Sequence, residues 1–350
     1  MPRVGESAHI PLWTLGHGIL RGTGGMIPRA ALDRRAFLAL ISASIARAED
    51  PVTRPIVSEE ACPLETITPT AYDGYRGQVV LRKPPGAGKF PAILWIHGGL
   101  TTVPSPRLLE IARNGANPSR FLAAGYVVIV PTYRSRDDDP QSTVSLEDCL
   151  AVVDYLQRQP YVDPKSIVVY GCSGGGDLAL EVAAATDVCA IVPEEPASLL
   201  MAGILNTKSP KSGGRYTARD ANPIMENPKT FYTPEYQKIL RTKIARIKCP
   251  ILIIQGDEDR REIPINKFNA EVLIPELRAL GKIVEVITYP GEPHCFCFYG
   301  NGPEAPDRIM RAPHPASALK AYRDAEAFSR RYVTTKPKPL DSGSVKYVPA

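Results

Sequence analysis

A serine in a glycine-rich turn is the first residue of this sequence whose surroundings suggest chemistry. Residues Gly171–Gly175 read G-C-S-G-G, a G-x-S-x-G pattern centred on Ser173. The pattern directly follows the apolar run Ser166–Tyr170 and opens a helical pattern that continues to about Thr186. A strand–turn–helix of this kind strains the backbone and raises the serine hydroxyl above the sheet, where a helix N-terminus stabilises negative charge. Ser173 is therefore predicted to be a nucleophile.

A serine hydroxyl is a weak nucleophile until a base takes its proton, and histidine is the usual base. The chain has five histidines. His9 and His17 lie near the N-terminus, and His314 lies between two prolines ahead of the last helical pattern. His294 follows the last predicted strand, where the base belongs when the chain order is Ser, acid, His. We therefore predict His294 as the base, and we expect His97 to support its own loop by hydrogen bonding.

The imidazole in turn needs a carboxylate that fixes its tautomer and stabilises its charged form. Asp257, Glu258 and Asp259 all follow the predicted strand Ile251–Gln255, at the carboxyl edge of the sheet. The residues by themselves leave these three acids open.

A second glycine turn, Gly98-Gly99, follows the apolar run Ala92–Ile96. Glycines let backbone N–H groups come close to a substrate carbonyl, and two such donors can hold a tetrahedral oxyanion. We expect the N–H of Gly99 to pair with that of Gly174 in this role.

The elements that must position these residues alternate along the chain. Apolar runs predict strands at Gly77–Leu81, Ala92–Ile96, Tyr126–Val130, Ser166–Tyr170, Ala190–Pro193, Ile251–Gln255 and Ile283–Tyr289. Helical patterns lie between them, beginning at Ser145, Gly174 and Pro234, and a last one begins at Ala316. This alternation predicts an α/β fold with a mainly parallel sheet flanked by helices.

The same patterns divide the chain. We predict a leader over 1–48, an extended arm over 49–76, a main α/β domain over 77–334, a cap insertion over about 198–247, and a flexible tail over 335–350.

The leader has the composition of an export signal. Arg34 and Arg35 precede the short apolar run Ala36–Ile45, and a small-residue cleavage pattern follows at Ala46–Ala48. Residues 33–38 resemble the twin-arginine export motif, which implies a periplasmic or secreted protein. A membrane span needs about 20 apolar residues, so no stable membrane insertion is expected after cleavage. The motif lies far from the first residue, and Met26 is a possible true start.

Composition excludes other classes. The leader carries a net charge of +4 out of +5 for the whole chain, so no basic patch is left for nucleic acid. The seven cysteines include no pair with zinc spacing, and the proposed chemistry needs neither metal nor cofactor.

Together these features resemble the α/β-hydrolase superfamily, in particular the catalytic domains of the prolyl oligopeptidase family and the dienelactone-hydrolase-like esterases. Besides the elbow and the histidine loop, the resemblance is carried by Asp73-Gly74, Phe90–Gly99, Val130–Ser135 and Tyr161–Pro164. It covers about residues 73–332. It implies a Ser173–Asp259–His294 triad, because the spacing of strand, glycine, two residues and acid in this family favours Asp259, with Asp257 as the alternative.

Two departures affect function. Dienelactone hydrolases use a cysteine where this chain has Ser173. Prolyl oligopeptidases carry a β-propeller ahead of the catalytic domain, whereas fewer than 30 residues separate the predicted cleavage site from the first predicted strand.

The sequence therefore predicts a serine hydrolase that cleaves a carboxylic ester through an acyl-enzyme, with a small-molecule ester or a short peptide as substrate. A peptidase of prolyl-oligopeptidase type is the alternative, since it would use the same residues. A non-catalytic binding protein of this fold is disfavoured because a serine, an acid and a histidine all occupy suitable positions.

Overall fold

The computed structural model describes residues 52–99, 102–134, 143–199, 201–204, 223–258, 265–299 and 314–349. The strands in these ranges are β1 Thr53–Val57, β2 Glu65–Ile67, β3 Val79–Arg82, β4 Phe90–Ile96, β5 Val127–Pro131, β6 Val162–Cys172, β7 Ala190–Glu194, β8 Ile251–Gly256, β9 Val284–Tyr289 and β10 Val345–Pro349. The helices are α1 Ser105–Asn114, α2 Ala116–Ala123, α3 Thr143–Arg158, α4 Gly174–Ala185, α5 Pro228–Phe231, α6 Pro234–Arg246, α7 Ile265–Phe268, α8 Ile274–Ala279, α9 Phe296–Tyr299 and α10 Pro315–Tyr332. A π-helical turn, Asn269–Leu273, joins α7 to α8.

Within the described residues, eight strands form one sheet in the order β2-β3-β5-β4-β6-β7-β8-β9. The pairs β2–β3 and β3–β5 are antiparallel, and every pair from β5 to β9 is parallel. The carboxyl ends of β4, β6, β7 and β8 therefore meet at one edge of the sheet. The predicted α/β-hydrolase architecture is confirmed, and all seven predicted strands are present.

The sheet is covered on both faces because its central strands are apolar throughout. Along β4, Leu94 and Ile96 pack into the core on one face, while Ile93 and Trp95 pack into the core on the other. Alternate side chains of a strand point to opposite faces, so a near-continuous apolar run requires two helical layers.

An aromatic stack on one face ties the central strands to a later loop. The Trp95 ring stacks on Tyr170 of β6 at 4.3 Å and on Phe298 of α9 at 4.4 Å between ring centroids. All three rings are buried. Aromatic pairs of this kind contribute about 0.5–1.5 kcal/mol beyond their burial, so the stack holds the segment after His294 against the sheet.

The C-terminal segment differs from the flexible tail predicted over 335–350. Strand β10 pairs antiparallel with β1, with Thr53 opposite Pro349 and Val57 opposite Val345. The backbone N–H of Leu340 also donates to the carbonyl oxygen of Ala123. Backbone pairing with the N-terminal arm orders a segment whose own composition is polar and rich in proline.

The predicted cap over 198–247 is too long at its C-terminal end. Helix α6 begins with a Thr233 N-cap and Pro234, and it buries Leu240 and Ile244 in the core. Parallel strands β7 and β8 need a crossover connection, and α6 supplies it by packing against α4. Residues 205–222 of the predicted cap lie outside the described residues.

The predicted leader and its twin-arginine motif also lie outside the described residues. Within the described ranges, no helix combines the length and apolar character needed to cross a bilayer.

Candidate active site

Ser173 lies at the sharp turn between β6 and α4. Its backbone angles are φ 52° and ψ −119°, a left-handed conformation that is strained for a residue with a side chain. The turn is so tight that a Cβ on Gly171 would lie 2.2 Å from the carbonyl oxygen of Gly175. A glycine is therefore required at position 171 by space. Gly174 is the first residue of α4, and the N-terminal end of that helix lies beside the serine.

The second glycine turn lies directly against this elbow. A Cβ placed on Gly98 would lie 3.0 Å from Sγ of Cys172 and 3.6 Å from Cβ of Ser173. Gly99 has φ +83°, which a residue with a side chain rarely adopts. The two predicted oxyanion donors, Gly99 and Gly174, thus belong to adjoining segments.

Tyr133 holds this second turn from the side of the core. Its hydroxyl lies 3.0 Å from the carbonyl oxygens of both His97 and Gly99. The His97 ring is buried and stacks on Tyr133 with 4.2 Å between ring centroids. Nδ1 of His97 also lies 2.8 Å from the carbonyl oxygen of Gly98, a contact that fits the hydrogen bonding expected of this residue.

His294 lies in the loop after β9 and is only 8% exposed. The next residue, Cys295, has φ 58°, and its buried thiol lies against the Cys172 thiol and within 4.8 Å of a ring nitrogen of His294. Because Cys172 precedes Ser173, this contact joins the serine turn to the histidine loop. The structure therefore brings together two segments that lie 121 positions apart in the chain.

The neighbouring thiols are poor nucleophiles. Burial raises the pKa of Cys172 to about 11, and burial also raises the pKa of Cys295 well above its usual range. A thiol of this kind stays protonated near neutral pH, when it is a much weaker nucleophile than a thiolate. Cys172 therefore does not take the place of Ser173. All seven cysteines lie within the described residues, and all seven are free thiols.

The three acids considered from the sequence are placed differently. Oδ1 of Asp257 accepts a hydrogen bond from the backbone N–H of Gly291 at 2.6 Å, so Asp257 braces the base of the histidine loop. The backbone N–H of Glu258 donates to the carbonyl oxygen of Glu292 at 3.1 Å. Asp259, the acid predicted for the triad, lies outside the described residues.

A carboxylate that sequence reasoning missed lies beside His294. Oε2 of Glu195 is 3.0 Å from Nδ1 of His294, and the Glu195 side chain is fully buried. Its Oε1 accepts a hydrogen bond from the N–H of Gly256 at 2.6 Å, and its Oε2 accepts one from the N–H of Cys295. Glu195 directly follows β7, the neighbour of the nucleophile strand. Two acids at the end of an apolar strand were the sequence feature that could have indicated it.

Glu194 accompanies Glu195 without contacting the imidazole in any described interaction. Its carboxyl group accepts hydrogen bonds from the Tyr170 hydroxyl at 3.0 Å and from the N–H of Cys297 at 2.7 Å. Burial, followed by the charge of Glu195, raises the pKa of Glu194 to about 8. At neutral pH Glu194 is thus largely protonated.

Three ligand atoms of this site, from Glu195, His294 and Cys295, lie within 4.8 Å of one another. Both oxygens of Glu195 already accept backbone N–H groups, and the Cys295 thiol is protonated. A metal ion would need these groups deprotonated and available. The chemistry of the three side chains fits a hydrogen-bonded base better than a metal centre.

The fold and this site define an α/β-hydrolase. The family model of the prolyl oligopeptidase family matches residues 118–311, so the chain belongs to that family. The family confirms the predicted class of serine hydrolase.

Two curated proteins illustrate the similarity. Acyl-coenzyme A thioesterase 6 of Homo sapiens is 26% identical over 293 residues, which cover 72% of this chain and 62% of the relative. Acylamino-acid-releasing enzyme 2 of Oryza sativa subsp. japonica is 25% identical over 225 residues, covering 58% of this chain and 27% of the relative. The chain thus spans about three fifths of the first relative and about a quarter of the second.

Among solved structures, an esterase of Pyrobaculum calidifontis superposes with a TM-score of 0.53 at 17% identity. The superposition covers 85% of this chain and 90% of the esterase, and it supports the fold alone.

Proposed function

We propose that this protein hydrolyses a carboxylic ester through an acyl-enzyme formed on Ser173, with His294 as general base. The observation that carries the proposal is that the serine turn and the histidine loop meet at the end of β7, where the Ser173 N–H donates to the carbonyl oxygen of Glu194 at 2.9 Å and Oε2 of Glu195 lies 3.0 Å from Nδ1 of His294. The strained backbone of Ser173 supports the same reading, because such strain persists where the surrounding structure and function require it.

The proposed reaction proceeds in two halves. His294 takes the proton of the Ser173 hydroxyl as the oxygen attacks the ester carbonyl, and the N–H groups of Gly99 and Gly174 hold the oxyanion. His294 then gives the proton to the departing alcohol. In the second half, His294 activates a water molecule, which releases the acid and restores the serine.

The carboxylate that orients His294 was predicted from the sequence as Asp259. Any acid in that role accepts the hydrogen of Nδ1, so that Nε2 presents its lone pair to the serine. Among the described residues a second acid, Glu195, lies 3.0 Å from Nδ1 of His294, and it is the subject of the next subsection.

We place ester hydrolysis ahead of peptide hydrolysis because the thioesterase relative aligns over 72% of this chain, whereas the acylamino-acid-releasing enzyme aligns over 58%. The similar proteins include one named as a thioesterase and one named as an acylamino-acid-releasing enzyme. A peptidase that uses the same residues is therefore the second candidate. The residues around the predicted cap are proposed to select the substrate.

The test compares two chromogenic substrates. Purified protein should hydrolyse p-nitrophenyl acetate or butyrate faster than aminoacyl- or prolyl-p-nitroanilides, and Ser173→Ala should abolish the reaction. A matched control is Ser119→Ala, because Ser119 is a buried serine on α2, away from the elbow in the chain. A faster anilide reaction would exchange the two candidates, and an unchanged rate in Ser173→Ala would remove Ser173 from the mechanism.

We also propose that the protein is exported by the twin-arginine route to the periplasm or beyond. The support is the pair Arg34-Arg35, the short apolar run and the small-residue cleavage pattern that follow it. Changing both arginines to lysine should keep the protein as a precursor in the cytoplasm of a bacterial host. Delivery that is unaffected by the double substitution would contradict export by this route. N-terminal sequencing of the retained precursor would test whether translation starts at Met26.

A further inference from the structure

We propose that Glu195, at the end of β7, is the carboxylate that positions His294. The sequence assigned this role to Asp259 in the acid loop, residues 257–259 after β8. The inference rests on the proposed function, since it names a further residue of the same site. The observation behind it is the 3.0 Å separation of Oε2 of Glu195 from Nδ1 of His294.

The sheet explains why a residue after β7 can reach the imidazole. In the parallel register of β6 and β7, Cys172 lies opposite Glu194, so Ser173 and Glu195 occupy corresponding positions past the strand ends. The backbone N–H of Ser173 also donates to the carbonyl oxygen of Glu194 at 2.9 Å. Neighbouring strands lie about 4.8 Å apart, so the backbone of Glu195 lies about one strand spacing from the backbone of Ser173.

The backbone of Glu195 is fixed in an unusual conformation. Its φ is 44°, in the left-handed region that costs about 1–2 kcal/mol for a residue with a side chain. Its N–H donates to the carbonyl oxygen of Ile254 at 2.9 Å, which holds this conformation against β8. Strain of this kind is a recurring feature of functional positions, and here it turns the side chain towards the histidine loop.

The surroundings of the Glu195 carboxylate also favour its charged form, which stabilises an imidazolium at His294. The N–H groups of Gly256 and Cys295 both donate to it, and hydrogen bonds to a carboxylate favour its charged form. Among the described residues, the thiols of Cys295 and Cys172 and the carboxyl of Glu194 also face the pair. Burial raises the pKa of each of these groups, so all three are mainly neutral at pH 7. Glu195 therefore supplies the negative charge beside His294.

The same hydrogen bonds would serve a purely structural brace between β8 and the histidine loop. The two roles differ in what they do to the titration of His294. A positioning carboxylate raises the pKa of the imidazole, because it stabilises the charged form. A brace makes no use of the negative charge, so that pKa would stay where it is in a folded Glu195→Gln variant, even though the amide NH2 can no longer accept one of the two backbone N–H groups.

The experiment uses the full chain and the variants Glu195→Gln, Glu195→Asp and Glu194→Gln. The last is the matched control, because Glu194 is an adjacent buried glutamate bonded to Tyr170 and Cys297. The first measurement is kcat/KM for p-nitrophenyl acetate as a function of pH. The second is the NMR titration of the His294 imidazole, which needs no activity.

We expect Glu195→Gln to lower kcat by roughly 10⁴-fold, the loss that follows removal of the acid from a serine triad. It should also shift the acidic limb of the pH profile and the NMR titration of His294 to lower pH. Glu195→Asp should restore part of the rate and part of the shift, and Glu194→Gln should leave the His294 titration close to that of the wild type. Circular dichroism of each variant verifies the fold.

A folded Glu195→Gln variant with a wild-type titration of His294 would overturn the proposal, and a loss seen instead in Asp259→Asn would assign the role to the acid loop. A wild-type protein without esterase activity would count against the proposed function alone, because the NMR titration still tests the contact between Glu195 and His294. If Glu195→Gln does not fold, Glu195→Asp decides the question. The proposal would then be overturned if His294 in Glu195→Asp titrated as in the wild type and the rate fell through KM alone.

Discussion

Gly175→Ala tests how closely the two glycine turns of the site must approach. A methyl group at this position would lie 2.3 Å from the carbonyl oxygen of His97 and 2.5 Å from that of Ile96. Ordinary contact begins at 3.4 Å, so the overlap is about 1 Å with each oxygen. Both oxygens belong to the backbone, which cannot rotate aside as a flexible side chain can. Either the start of α4 or the loop at His97 must therefore move by about 1 Å.

Two effects should follow from this movement. Overpacking of a core position costs about 1–3 kcal/mol. For a domain of this size that corresponds to a fall in Tm of roughly 2–10 °C. The movement also separates the predicted donors at Gly99 and Gly174, and a displacement of 1 Å in a catalytic constellation can cost about 10²-fold in rate.

The assay is thermal unfolding by circular dichroism together with kcat/KM for p-nitrophenyl acetate. Gly343→Ala is the matched control, because the nearest atom to its new methyl is Oδ1 of the Asp341 side chain at 3.4 Å. That control should change Tm by no more than about 1–2 °C, as is usual for surface substitutions. A Gly175→Ala protein with the Tm and the kcat/KM of the wild type would refute the packing argument.

Two further predictions concern the residues around the site. Tyr133→Phe should lower kcat about 2- to 10-fold with little change in KM. The reason is the loss of one hydroxyl hydrogen bond, of about 0.5–1.5 kcal/mol, that holds the carbonyl oxygens of His97 and Gly99. Steady-state kinetics measures both constants, and a wild-type kcat would show that the hydroxyl is not needed. Glu194→Gln should gain stability relative to the wild type as the pH rises. In the wild type the folded pKa of Glu194, about 8, lies above the ordinary value of 4.5. The stability that the bound proton gives to the wild type is therefore complete below about pH 4.5 and is lost as the pH approaches 8. Urea unfolding at about pH 5 and about pH 8 measures this difference, and a stability gap that is the same at both pH values would contradict it.

The strands and the nucleophile turn could be predicted because their causes are local. Apolar runs such as Ala190–Pro193 and Ile251–Gln255 appear as strands because both faces of the sheet are buried. The turn at Ser173 could be recognised because Gly171 is required by a contact within five residues, as the space around it shows. His294 could be predicted as the base from its position after β9, the last strand of the parallel sheet.

The remaining features depend on which strands are neighbours, and spacing along the chain does not reveal that. Glu195 reaches His294 because β7 lies next to β6 and because a left-handed φ turns its side chain. Neither the strand order nor this φ could be predicted from the residues that follow β7. Similarly, β10 forms because its backbone finds β1 nearly 300 positions away, whereas its own composition favours a tail. The arm and the tail each carry too little apolar pattern to predict their partner.

The central claim is that the hydroxyl of Ser173 is activated by the imidazole of His294. The most direct measurement is labelling of the full chain with a fluorophosphonate, followed by mass spectrometry of the intact protein and of its peptides. The claim predicts one adduct per chain, located on Ser173, and a labelling rate that falls by at least about 10²-fold in His294→Gln. An adduct on another residue, or labelling at the wild-type rate in His294→Gln, would contradict it.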